Sequence, residues 1–216
     1  MPSPAKRLYL VTDRRALGPD PAARDQLVRL VGDAARAGID FVQIRERDLG
    51  ARDLVDLCRR AGAGASSFAT KVLVNDRLDV ALAAGIDGIH LTTRSLSARV
   101  VRETIGTTLL VGVSTHSREE LAAAAGFVDF AVCGPVFDTP SKRGMGAPLG
   151  PAGVARLAAE ADFPVFALGG ISRANAAEAL APPVSGIAAI RLFQETWLRG
   201  GVVALAELAA EIREAP

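Results

Sequence analysis

Neither sign of charge prevails in this 216-residue chain, where 25 Lys and Arg meet 24 Asp and Glu for a net charge of +1. So even a balance lacks the electrostatic footprint of a protein that follows a polyelectrolyte, and nucleic acid is not an expected partner. Cysteine is scarce as well: Cys58 and Cys133 stand in unrelated apolar contexts without metal-ligand spacing, which fits a reducing cytoplasm. No apolar run approaches the roughly 18 residues that suggest a membrane-spanning helix. The N-terminus has no apolar secretion-signal core, and no low-complexity tail or Pro/Ser-rich linker divides the chain. The expectation is a soluble cytoplasmic protein folded as one domain over residues 1–216, with no membrane partner and with homo-oligomerisation open. Two more absences concern chemistry. The first strand-like run is followed by Thr12-Asp13-Arg14 rather than a glycine-rich dinucleotide fingerprint. No Ser/His/Asp or Cys/His group carries a supporting local signature, so a protein nucleophile is not expected.

What the chain does have is a regular alternation. Short apolar runs at Leu8–Thr12, Phe41–Arg45, Lys71–Asn75, Gly88–Leu91, Leu109–Ser114, Phe127–Cys133, Pro164–Leu168 and Gly186–Ile190 read as strands. Segments with helical spacing separate them, and Ser117-Arg118-Glu119-Glu120 reads as a capping box opening one of these. The last helical region is expected from about Val202 to Arg213. A weak repeat marks three corners: Ala37-Gly38-Ile39-Asp40, Ala84-Gly85-Ile86-Asp87 and Ala125-Gly126-Phe127-Val128-Asp129. Eight strands alternating with eight helical segments imply parallel pairing through right-handed crossovers, closed into a single (β/α)8 TIM barrel, an α/β fold.

In such a barrel the C-terminal strand ends meet at one mouth, and here each ends in polar groups. Gln43, Arg45 and Arg47 bring an amide and two cations, suited to an anionic ligand, and the two arginines share parity if the strand persists; pairing with Glu46 or Asp48 is the plain alternative. Asn75-Asp76 offers a carboxylate for Mg²⁺ or, equally, an N-cap for the next helix. His90 and His116 fall at or beyond strand ends, where each is either an acid or base or a buried histidine satisfied by its neighbours. The loop Gly134–Gly146 is dense in glycine, proline, hydroxyls and cations. Gly169-Gly170-Ile171 and Ile190-Arg191-Leu192, after the last two strands, lie where barrels often hold phosphate, and Thr139, Ser141 and Lys142 from the Gly134–Gly146 loop would complete the cradle.

At these residues the sequence resembles the thiamine phosphate synthase and TenI (thiazole tautomerase) family. Seven ordered stretches carry the likeness: Tyr9–Asp13, Gln43–Arg47, Val74–Arg77, Asp87–Leu91, Gly112–His116, Gly134–Lys142 and Ala167–Ile171. The resemblance implies a transferase of thiamine biosynthesis that joins hydroxymethylpyrimidine diphosphate to thiazole phosphate with release of diphosphate. The alternatives are a thiazole phosphate tautomerase and a non-catalytic binder of phosphate esters. It further implies that Arg45, Arg47 and Asn75 hold the diphosphate, that Asp76 binds Mg²⁺, that Gln43 and Ser114 address the pyrimidine, and that His90 lines its pocket. Thr139, Ser141, Lys142, Gly169, Gly170 and the amides near Arg191 would take phosphate oxygens. Ser95 stands where the synthase branch has a second metal carboxylate, Arg191 replaces a usual serine, and Pro135 stands in place of the tautomerase histidine.

Overall fold

The computed structural model describes residues 6–139 and 147–215. Among these residues eight strands, β1 (Arg7–Val11), β2 (Phe41–Ile44), β3 (Lys71–Asn75), β4 (Gly88–Leu91), β5 (Leu110–Thr115), β6 (Phe130–Cys133), β7 (Val165–Leu168) and β8 (Gly186–Ala189), pair in parallel and in chain order. β1 pairs with both β2 and β8, so the sheet closes and no edge remains. The intervening helices are α1 (Ala22–Arg36), α2 (Ala51–Ala65), α3 (Leu78–Ala84), α4 (Ala98–Ile105), α5 (Arg118–Ala124), α6 (Gly150–Glu160), α7 (Ala176–Ala179) and α8 (Arg191–Glu214). The (β/α)8 expectation is met.

Several boundaries shift by a residue from the sequence reading, and three of the shifts bear on the site or the helices, each for a local reason. β2 stops at Ile44, so Arg45 and Arg47 lie in the following loop and the shared-parity expectation does not apply. β6 starts at Phe130 rather than Phe127, because the Phe127 amide closes the end of α5 on Ala124 and the Asp129 carboxylate turns back to accept from the Val111 amide. α8 starts at Arg191, directly after β8, and kinks at Gly200-Gly201, where Gly201 takes a left-handed φ of 60°. The expected helix from Val202 is only its second half.

The repeated corners have a structural meaning. Asp40, Asp87 and Asp129 each precede an even-numbered strand and accept from an amide of the odd-numbered strand before it: Leu8 at 2.8 Å, Val72 at 2.9 Å and Val111 at 2.7 Å. Each carboxylate also meets one cation, Arg213, Lys71 and Arg102 respectively. At the fourth corner Ser185 keeps only the backbone half, donating its amide to Val165. The barrel is thus four latched strand pairs, with the latches at the end opposite the mouth.

Side chains alternate between the two faces of each strand. Outward residues such as Leu8, Leu10, Val42, Ile44, Val72 and Val74 pack against the helices. Inward, Tyr9, Phe41, Phe130 and Phe166 fill the barrel with rings whose centroids lie 5.2–5.9 Å apart, mostly tilted or edge-on. Such pairs add about 0.5–1.5 kcal/mol each beyond their burial. The ring layer leaves space only because Gly112 has no side chain: a Cβ there would lie 2.4 Å from Phe130 Cζ and 3.0 Å from His90 Nδ1. This apolar plug is the floor on which the site rests.

Candidate active site

Above the rings, toward the strand C-termini, the inward positions turn polar on four neighbouring strands. Gln43 on β2 donates from Nε2 to Asn75 Oδ1 on β3 at 3.1 Å. His90 on β4 lies 3.1 Å through Nδ1 from the Tyr9 hydroxyl and 2.9 Å through Nε2 from Ser114 Oγ on β5. Gln43, Asn75 and His90 are buried and Ser114 is half-buried, so the structure brings four of the expected pocket residues into one layer. Burial, with a smaller contribution from the Arg45 charge, pushes the His90 pKa down to about 3, so the imidazole is neutral in ordinary buffers. Burial likewise raises the Tyr9 phenol well above its usual range. This layer can offer directed hydrogen bonds to a planar heterocycle, but it carries no charge of its own.

The charge stands at the rim. Arg45 is half-buried and Arg47 exposed, and neither guanidinium has a hydrogen-bond or ion-pair partner among the described residues. Burial first, and the neighbouring Arg47 second, lower the Arg45 pKa, the mark of a cation placed where an anion would be welcome. The suggested pairing with Glu46 or Asp48 does not form, because both acids are engaged by Arg14. Together these groups line a cleft of about 380 Å³ formed by Asp13, Arg15, Arg45, Glu46, Arg47 and Asp48.

Asp76 follows Asn75 out of β3 and is exposed. It is the one non-glycine residue with positive φ among those described, at 64°, a left-handed conformation that Asp and Asn tolerate better than most. The N-cap position of α3 belongs to Arg77 and receives no side-chain bond, so Asp76 is not used as a cap. Its carboxylate has no hydrogen-bond or ion-pair partner among the described residues, Arg77 acting on it only through space, and it remains available. Ser95 is committed elsewhere: its Oγ accepts from the Thr92 amide at 2.8 Å and contacts Thr92 Oγ1 at 3.1 Å, closing the turn after β4. No group of three or more His, Cys, Asp or Glu suited to a metal occurs among the described residues. A single free carboxylate fits Mg²⁺, which keeps most of its shell for water and phosphate oxygens.

On the far side, the loop after β6 runs beside the loop after β7. The Val136 and Phe137 amides donate to Leu168 and Gly169 carbonyls, at 2.9 and 3.0 Å. Gly170 has a φ of 65°, and a Cβ there would come within 2.7 Å of the Asp138 carbonyl oxygen and of Phe137 Cβ, so both conformation and space require glycine. Thr139 is buried next to this crossing. Ser141 and Lys142 lie outside the described residues. Arg191 is the first residue of α8 and is exposed, so the free amides of that helix's first turn open at the end of β8 beside Gly169-Gly170.

A profile of the thiamine monophosphate synthase (TMP-TENI) family matches residues 8–193, most of the chain. The chain belongs to the thiamine monophosphate synthase family. Among similar relatives of that name, a Geobacter sulfurreducens protein with a provisional thiamine-phosphate synthase assignment is 46% identical over 85% of this chain and 84% of its own. The thiamine-phosphate synthase of Clostridium novyi is 32% identical over 85% of this chain and 88% of its own. Among solved structures, the thiamine phosphate pyrophosphorylase of Pyrococcus furiosus superposes with a TM-score of 0.80 at 29% identity, covering 95% of this chain and 96% of that one.

The synthase-family match ends just after α8 begins, so it takes in the polar layer, the arginine rim and the first three residues of α8 but not the Gly200-Gly201 kink. Several residues that shape the candidate site escaped sequence reasoning. Glu46 is buried and accepts from Thr12 Oγ1 at 2.6 Å, and Arg14 is buried against three acids. Gln194, also buried, accepts from the Asp13 amide at 2.7 Å and donates to the Asp13 carbonyl at 3.0 Å, binding α8 to the loop after β1. Arg14 and Glu46 are 32 positions apart, and Asp13 and Gln194 are 181 apart, so no local pattern announces these pairs.

Proposed function

We propose that this transferase joins hydroxymethylpyrimidine diphosphate to thiazole phosphate and releases diphosphate, and that its mouth binds both phosphate groups. The observation that carries the proposal is the pair of unpartnered guanidiniums, Arg45 and Arg47, at the edge of a neutral hydrogen-bonding layer. The pyrimidine would lie over the rings of the barrel floor, addressed by Gln43 and Ser114. Asn75, oriented by the Gln43 amide, would point its own donor to the diphosphate. Arg45 and Arg47 would take the negative charge that grows on the departing diphosphate, with Lys142 as a further cation from the loop after β6. Mg²⁺ held by Asp76 would share that charge.

In the reaction the thiazole nitrogen lone pair forms the new C–N bond to the pyrimidine methylene as the C–O bond to diphosphate breaks, and its electron pair leaves on the diphosphate oxygen. No protein nucleophile enters the balance, in keeping with a site built for positioning and charge stabilisation. Thr139, Ser141, Gly169, Gly170 and the first amides of α8 near Arg191 would hold the thiazole phosphate across the mouth. A tautomerase would need a base. His90, with a pKa pushed down to about 3, is too weak a one at neutral pH, and His116, in the loop before α5, is hydrogen-bonded to Glu120 of that helix.

The test is to incubate purified protein with both precursors, with and without Mg²⁺, and follow thiamine phosphate and diphosphate. Metal-dependent formation of both in equal amounts is expected. Isomerisation of thiazole phosphate without coupling would overturn the reading.

A further inference from the structure

The rim cleft holds a contradiction that only its wiring resolves. Asp13, Glu46 and Asp48 line it together with Arg15, Arg45 and Arg47, so three acids face three cations and the cleft has no net positive charge to offer an anion. Left to themselves, neighbouring Asp48 and Arg47 would pair and cancel the site. One buried guanidinium prevents this. Arg14 donates from Nη1 and Nη2 to the two oxygens of Asp48, both at 2.7 Å, from Nη1 to Glu46 at 3.1 Å, and from Nε and Nη2 to Asp20 at 3.0–3.3 Å. Glu46 is further tied by Thr12 Oγ1 and the Arg14 amide, and Asp48 by Arg15 at 2.9 Å. Asp13 is used by the Arg15 amide, which its carboxylate caps at 3.2 Å, and by Gln194 on its backbone.

We infer that Arg14 is a positioning residue of the anion site: by gathering Asp20, Glu46 and Asp48 on one guanidinium, it withholds these carboxylates from Arg45 and Arg47 and leaves the two free for diphosphate. The planar fork is essential, since only five donors in one plane can serve three carboxylates at once, two of them through paired contacts. A lysine at position 14 could keep a charge against buried Glu46 but could not also hold Asp48. The released Asp48 would then turn to Arg47 or Arg45. The idea rests on the proposed binding of diphosphate by these two arginines.

Its test is binding of inorganic diphosphate by calorimetry, with KM and kcat for coupling, in wild type, Arg14→Lys, Arg14→Lys with Asp48→Asn, Asp48→Asn alone, and Arg45→Met with Arg47→Met. Arg14→Lys should weaken diphosphate binding and raise the KM of the diphosphate substrate about tenfold, as expected for losing one charge-assisted hydrogen bond, with kcat little changed. Adding Asp48→Asn should restore most of the affinity, a rescue that a merely structural role of Arg14 would not produce. Failure of that rescue, or kcat falling in step with affinity, overturns the inference. Asp48→Asn alone leaves the Arg14–Glu46 pair in place and should bind diphosphate at least as well as wild type. A several-fold loss there overturns the inference even if Arg14→Lys does not fold. If the Arg45/Arg47 variant binds diphosphate as wild type does, it is the proposed anion site itself that fails. If that variant loses binding while Arg14→Lys does not, only the role of Arg14 is lost.

Discussion

Asp76 shows how much one residue of the mouth is asked to do. It holds a left-handed backbone at about 1–2 kcal/mol of strain while presenting an unpartnered carboxylate to solvent. Asp76→Asn should keep the fold, because Asn tolerates that conformation, and should lower the Mg²⁺-dependent rate about 100-fold or more in steady-state assays. Asp76→Gly should lose the same activity yet melt a few degrees higher, which calorimetry would show. His90 is the other residue with a clear signature. Its folded pKa, near 3, lies below its ordinary 6.5, so the unfolded chain binds the extra proton between these values. Stability from this group is complete above pH 6.5 and is lost as the pH falls toward 3. Urea titrations should show wild type losing roughly 2 kcal/mol more than His90→Asn between pH 6.5 and pH 5.

Among the elements, the three aspartate latches divide labour with the mouth. Asp40, Asp87 and Asp129 sit at the strand N-termini, away from the polar layer, and each joins two strands through an amide and a cation. Asp129→Ala leaves the Val111 amide without its acceptor and Arg102 without its carboxylate. It should lower unfolding free energy by about 1–3 kcal/mol in urea titration while leaving kcat and KM unchanged, since function gathers at the opposite face. Ser117 illustrates a signal that was half right. Its hydroxyl accepts from the Glu120 amide as a capping box requires, but the Glu120 carboxylate reaches the His116 amide at 2.6 Å rather than that of Ser117. The first half of α8 escaped notice because Arg191–Arg199 follows β8 without a capping residue; Ile190 occupies the N-cap with no side-chain bond.

The whole molecule depends on its two ends meeting. β1 pairs with β8, Arg213 bonds Asp40 and the Gly38 carbonyl, Trp197 Nε1 donates to Asp33, and Gln194 grips Asp13 on both sides of its backbone. Gln194→Leu would bury the Asp13 amide without an acceptor; it should cost about 1–3 kcal/mol and loosen the loop after β1, visible as faster amide exchange there. From the sequence alone came the alternation of strands and helices, the closed barrel, the corner repeat, and the candidate residues at each strand end, because strand period, glycine stops and capping are local properties of neighbouring residues. Which of those candidates stand free was decided only by tertiary structure. Arg45 and Arg47 lie beside Glu46 and Asp48 in the chain, and it is Arg14, 32 and 34 positions from Glu46 and Asp48 and set beside them by the parallel pairing of β1 with β2, that claims those acids. Short-range order places the charges on the mouth; long-range contact settles which of them neutralise one another.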